Sequence, residues 1–131
     1  VDRGYSVAGN YSWVNKDLFS KTEVGGLSDV TLNAPANKAT LALRYNNGTP
    51  QPYGWELRGR YVAGFPVASG VYNGAVQTYT LLDANVAIRV PTTKDLTLSI
   101  SGQNLLDKKH HEFVGVPELG RFFMTQLRYA F

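Results

Sequence analysis

Tyr5-Ser6-Val7-Ala8-Gly9-Asn10-Tyr11-Ser12-Trp13 is the stretch that decides the fold class. In an extended chain Tyr5, Val7, Gly9, Tyr11 and Trp13 fall on one side, and Ser6, Ala8, Asn10 and Ser12 on the other. Successive side chains of a strand point to opposite faces, so this period of two marks a strand with one apolar face. The pattern recurs outward from it. Ala39, Leu41, Leu43 and Tyr45 oppose Lys38, Thr40, Ala42, Arg44 and Asn46. Trp55, Leu57, Gly59 and Tyr61 oppose Glu56, Arg58 and Arg60. Leu82, Ala84, Val86, Ile88 and Val90 oppose Tyr79, Asp83, Asn85 and Arg89. Leu96, Leu98 and Ile100 alternate with Asp95, Thr97, Ser99 and Ser101. Phe123, Thr125, Leu127, Tyr129 and Phe131 alternate with Phe122, Met124, Gln126, Arg128 and Ala130. No segment carries a helical period. The sequence predicts an all-β protein, an antiparallel meander of about six long strands.

Each strand runs to roughly ten residues, against an average of ~5 to 6. Ten residues tilted near ~45° span roughly 24 Å, close to the ~25 Å apolar band of a membrane barrel. The connections alternate in length as well. Asn46 to Pro52 and Pro91 to Lys94 are short and hold the proline, glycine and asparagine of tight turns. Asn15 to Asn37, Gly64 to Thr78 and Asp107 to Gly120 are long. Turns on one rim and long loops on the other are the pattern of transmembrane barrels, whose short turns face the periplasm.

Composition sets the remaining bounds. The chain has 131 residues, a net charge of +3, no cysteine and 44% hydrophobic residues. The length suits one domain, and the absence of cysteine removes disulfides and thiolate chemistry. No stretch approaches the ~18 to 20 apolar residues of a membrane helix. The opening Val1-Asp2-Arg3-Gly4-Tyr5 shows no signal peptide. The close on Tyr129-Ala130-Phe131 falls inside an alternating pattern, so that end is expected to be tied into a sheet. A charge this small and dispersed gives no ground for nucleic-acid binding. There is no nucleophile elbow and no phosphate-binding glycine loop, so no enzyme, catalytic residue, cofactor or metal is expected.

The two faces point to different solvents. Aromatic residues lie near the strand ends of the apolar face, with Tyr5, Trp13, Tyr45, Trp55 and Tyr61 as candidate girdle residues. Aliphatic residues and glycine fill the strand middles. Amphipathic rings at headgroup level around an aliphatic band are the mark of a lipid-facing wall. The opposite face carries Arg44, Glu56, Arg58, Arg60, Asp83, Arg89 and Arg128 in mid-strand. Those charges suit a wet lumen; an arginine at the lipid midplane costs ~2 to 4 kcal/mol. A soluble sheet with one exposed face shares the alternation, but its long strands need a covering layer and no helix supplies one.

Near the end, Gln103-Asn104-Leu105-Leu106-Asp107-Lys108-Lys109 leads to Phe113-Val114-Gly115-Val116-Pro117-Glu118-Leu119-Gly120-Arg121 and a final strand closing on Leu127-Arg128-Tyr129-Ala130-Phe131. This resembles the carboxyl-terminal end of TonB-dependent outer-membrane receptors, with specific motifs over Asn104 to Phe131. Leu32-Asn33-Ala34-Pro35 and Leu57-Arg58-Gly59-Arg60-Tyr61 look like earlier parts of such barrels. The resemblance implies a barrel of about 22 strands in the bacterial outer membrane, its lumen filled by a plug. It implies import of a scarce ligand, a ferric siderophore, cobalamin or a carbohydrate, driven by TonB. Residues 1–131 then read as the C-terminal portion of the barrel, with no plug domain present. The implied partners are the rest of the barrel and its plug, outer-membrane lipid, the TonB system acting through that plug, and the barrel-assembly machinery. A structural β-component that transports nothing and a soluble lectin- or lipocalin-like module are the alternatives.

Four groups of residues are candidate sites. Phe123, Leu127, Tyr129 and Phe131 resemble the terminal signal that assembly machinery recognises, which would act by pairing an open strand edge with a partner. His110 and His111, beside Glu112 in a long loop, could touch a metal-bearing ligand or simply be solvated. Neighbours in an extended chain point apart, and no further ligand lies at metal-site spacing. Arg58 and Arg60 could attract an anionic ligand, or pair across strands with Glu56 and Asp83. Phe19, Phe65 and Tyr72 are loop aromatics able to stack on a ligand.

Overall fold

The computed structural model describes residues 3–15, 33–48, 53–90 and 96–129. Eight strands appear among them: β1 (Gly4–Trp13), β2 (Asn37–Asn46), β3 (Tyr53–Val62), β4 (Phe65–Ser69), β5 (Tyr72–Val76), β6 (Tyr79–Arg89), β7 (Leu96–Gln103) and β8 (Phe122–Tyr129). Six form one antiparallel sheet in the order β1-β2-β3-β6-β7-β8, and β4 and β5 form a separate hairpin. The large sheet is therefore a meander interrupted once. It is open: among the described residues β1 and β8 each have a strand on one side only.

Register carries one face across all six strands. Tyr5 is opposite Tyr45, Tyr45 opposite Trp55, Trp55 opposite Val86, Val86 opposite Ile100 and Ile100 opposite Thr125. A slip of one residue at any pairing would exchange the faces, so this agreement fixes the register throughout. The row beside it runs Ser6, Arg44, Glu56, Asn85, Ser101, Met124 and belongs to the opposite face.

Among the described residues nothing covers the apolar face. Val7 is 69% exposed, Leu41 63% and Leu127 65%. The conventional core lies elsewhere, under the long loops, where Phe65, Val67 and Val76 are buried with Tyr79, Phe113 and Val114 packed against them. Three of these residues belong to a segment that the sequence presents as a loop. Gly64 to Thr78 instead folds back on itself through Gly70 and Val71. Gly70 has φ of 57°, the left-handed geometry a two-residue hairpin loop requires. Phe65 is thus an interior residue, whereas Tyr72 packs edge-on to Phe113 with centroids 6.2 Å apart.

Candidate functional site: a two-faced sheet and its outer cap

The charged face is organised by pairing. Glu56 on β3 bonds Arg44 across the strand and also Arg58, whose Nη2 lies 2.5 Å from Glu56 Oε1. Arg60 donates through Nε and Nη2 to both oxygens of Asp83 on β6, at 2.7 and 3.2 Å. Such two-point guanidinium–carboxylate contacts fix orientation as well as charge. Asp83 also accepts the Asn104 backbone N–H at 3.0 Å, which ties the end of β7 to the same carboxylate. Arg58 and Arg60 therefore sit side by side on the charged face with their guanidinium groups engaged. Concavities of about 240, 480 and 360 Å³ open along that face, lined by Arg58 in every case.

The aromatic residues divide between two rims. On the rim of short turns Tyr5, Tyr45 and Trp55 form one cluster: Tyr5–Tyr45 at 4.6 Å, Tyr45–Trp55 at 6.1 Å and Tyr5–Trp55 at 6.3 Å. Tyr53 joins it 5.9 Å from Tyr45, and Arg3 Nε donates to the Tyr45 hydroxyl at 3.2 Å. Trp13 and Tyr61 stand at the opposite rim, both exposed, with Tyr11 donating to Asn37 Oδ1 at 2.5 Å. Along β8 the side chains of Phe123, Leu127 and Tyr129 share the apolar face and are exposed. Phe123 lies opposite Gly102, and a Cβ there would come within 2.9 Å of its ring, so the ring covers the glycine. Phe131 lies outside the described residues, as does Phe19.

The connection from β7 to β8 is opened by two non-glycine residues with positive φ, Asn104 at 52° and Asp107 at 53°. Asn and Asp tolerate this region because their short side chains bond locally. Asn104 clasps Lys108 at both backbone atoms, at 2.9 Å each, and Asp107 Oδ1 accepts the Arg121 N–H at 2.9 Å. Those bonds bring the chain out of the sheet and return it to β8. The loop then packs on the β4–β5 hairpin, while Asn33 holds Ala68 from the other side through its N–H and its carbonyl, at 2.8 and 3.2 Å. Asn33, the β4–β5 hairpin and the β7–β8 loop thus form one cap.

His110 and His111 lie in this cap but go to different partners. The His110 ring is buried, tilted against Tyr79 with centroids 4.4 Å apart, and its Nδ1 lies 3.0 Å from the Lys108 carbonyl oxygen. His111 is half exposed, with Nδ1 2.8 Å from the Val116 carbonyl oxygen. Among the described residues no three metal-ligating side chains converge.

A sheet with a continuous uncovered apolar face, ion pairs opposite it, turns on one rim and a cap on the other is a segment of barrel wall. A family model described as TonB dependent receptor-like, beta-barrel, matches residues 2–105, and the chain belongs to this family. The match takes in five of the six strands of the sheet and ends at Leu105, so it is carried by residues other than the closing motif. Comparisons with characterised proteins and with solved structures gave no match. In general terms the family consists of outer-membrane receptors and transporters rather than enzymes.

Proposed function

We propose that residues 1–131 are the C-terminal portion of the barrel of a TonB-dependent receptor that imports a scarce ligand across the bacterial outer membrane. The observation that carries this reading is the register-wide separation of an exposed apolar face from a face of paired charges. The apolar face meets lipid. Tyr5, Tyr45 and Trp55 anchor the periplasmic interface, and Trp13 and Tyr61 the outer one. The paired face lines the lumen, where Arg58 and Arg60 brace the wall around a plug. The open edges of β1 and β8 are closed by the rest of the barrel, because lipid satisfies no backbone N–H or C=O. Phe123, Leu127, Tyr129 and Phe131 form the strand end by which the assembly machinery selects the chain.

The ligand belongs to the ferric siderophore, cobalamin or carbohydrate class, and the plug carries the coupling to TonB. Fractionation and uptake test the reading together. The protein is expected in the outer-membrane fraction, resistant to extraction without detergent, and its loss is expected to abolish TonB-dependent uptake of one such ligand. Extraction into aqueous buffer would return the soluble binding module. Outer-membrane residence with every uptake intact would return the structural component.

A further inference from the structure

Two histidine–glutamate pairs in the loop between β7 and β8 share one geometry. The Nδ1 of His110 and that of His111 each rest on a backbone carbonyl oxygen, at 3.0 and 2.8 Å. A carbonyl only accepts, so each Nδ1 carries its proton and donates it. In the neutral ring the remaining nitrogen, Nε2, then holds a lone pair. Yet each Nε2 faces a carboxylate oxygen, Glu112 Oε1 at 3.8 Å for His110 and Glu118 Oε1 at 3.6 Å for His111. A lone pair opposite a carboxylate gains nothing, and His110 Nε2 is buried with no hydrogen-bond partner. The arrangement is complementary in the doubly protonated state, in which Nε2–H points its charge at the glutamate.

We propose that the two pairs are a proton-operated clamp on the outer cap. Acidification turns two empty contacts into two ion pairs. His111–Glu118 spans the loop and joins limbs already tied by the Leu119 N–H to the His110 carbonyl at 2.8 Å. His110–Glu112 stiffens the entering limb, whose His110 ring stays against Tyr79 at the head of β6. The charged and titratable neighbours from the loop itself are Lys108, Lys109, Glu112 and Glu118. The hairpin and the segment leading into β6 offer Ala75, Gln77 and Thr78, which do not titrate, and β6 itself offers the titratable phenol of Tyr79 against the His110 ring. Beyond Tyr79, Lys38 of β2 and Arg60 of β3 line the concavity that holds Glu112.

Hydrogen exchange at the Leu119 amide tests the clamp in the complete barrel held in detergent, corrected for intrinsic exchange. Protection is expected to rise about threefold from about pH 8 to about pH 5.5, the range in which imidazoles take up protons. In the Glu112→Gln, Glu118→Gln double variant the rise is expected to vanish. Both glutamates are more than half exposed, so their replacement leaves the packing of the loop in place. Protection that does not change with pH in the wild type, or that changes equally in the variant, would overturn the proposal. The clamp itself rests on the loop alone, whereas its position outside the cell rests on the reading above. Protease access to the loop on intact cells tests that position separately.

Discussion

The sheet and its cap bury their apolar residues in opposite senses. In the cap Phe65, Val67 and Val76 turn inward, away from solvent, as in any protein folded in water. In the sheet Val7, Leu41, Leu57, Val86 and Leu127 turn outward and are exposed among the described residues, while the charges opposite find each other. One chain of ordinary composition thus uses two packing rules within a few residues, Tyr79 marking the change from cap core to sheet. The proposed membrane setting accounts for the difference by the solvent each region meets. Water drives apolar groups together, but lipid tails are as apolar as leucine and leave an outward-facing leucine at no disadvantage.

Substitutions can break this contrast. The largest effect is expected on the outward face: Leu57→Arg, near the middle of β3, should cost about 2–4 kcal/mol in a bilayer. Denaturant unfolding of the lipid-embedded barrel measures it, and a cost near zero would place that face in water. Phe65→Ala in the cap should cost about 3 kcal/mol, but locally. Hydrogen exchange is expected to rise over the hairpin and the loop while the sheet keeps its protection, which would show the cap to be a separate cooperative unit. Asp83→Ala removes the partner of Arg60 and the acceptor for the Asn104 N–H, at about 1–3 kcal/mol. The lower part of that range is expected because Arg60 is about one-third exposed and can reach water. Tyr5→Leu keeps apolar area but loses the ring contacts with Tyr45 and Trp55, and should cost about 0.5–1.5 kcal/mol. Comparing its effect in bilayer and in detergent sharpens the contrast, since a headgroup anchor matters only where headgroups exist.

The sheet was legible because a period of two is a direct consequence of strand geometry, and all six strands repeat it from Tyr5 to Tyr129. Leu81 shows where the pattern ends. It lies on the charged face, yet is almost wholly buried beside the place where the chain leaves the sheet at Asn104 and Leu105. Nothing in its neighbours along the chain announces that burial, or the backbone bond from Leu105 to the adjacent Leu82, made at a separation of more than twenty residues. The hairpin was harder to see because its strands are only five residues long and Pro66 interrupts the first. Phe65, Val67 and Val76 around Gly70 were its trace. Of the candidate residues, Arg60 takes the carboxylate of Asp83 on the neighbouring strand, whereas Arg58, which lies opposite Asp83 in register, bonds Glu56 two residues away on its own strand, a choice that charge alone does not announce. The differing partners of His110 and His111 depend on the turns at Asn104 and Asp107, which aim the loop and leave no periodic mark.

The account stands on which solvent meets the apolar face, and the lack of cysteine makes that directly measurable. Single spin labels at Asn85 and Val86, neighbours on β6 that point to opposite faces, can be compared in the bilayer-embedded barrel. A label at position 86 is expected to collide freely with oxygen, which concentrates in lipid, and poorly with a water-soluble nickel chelate, with the label at position 85 showing less of the first and more of the second. Ready collision of the chelate with position 86, or no difference between the two positions, would contradict it.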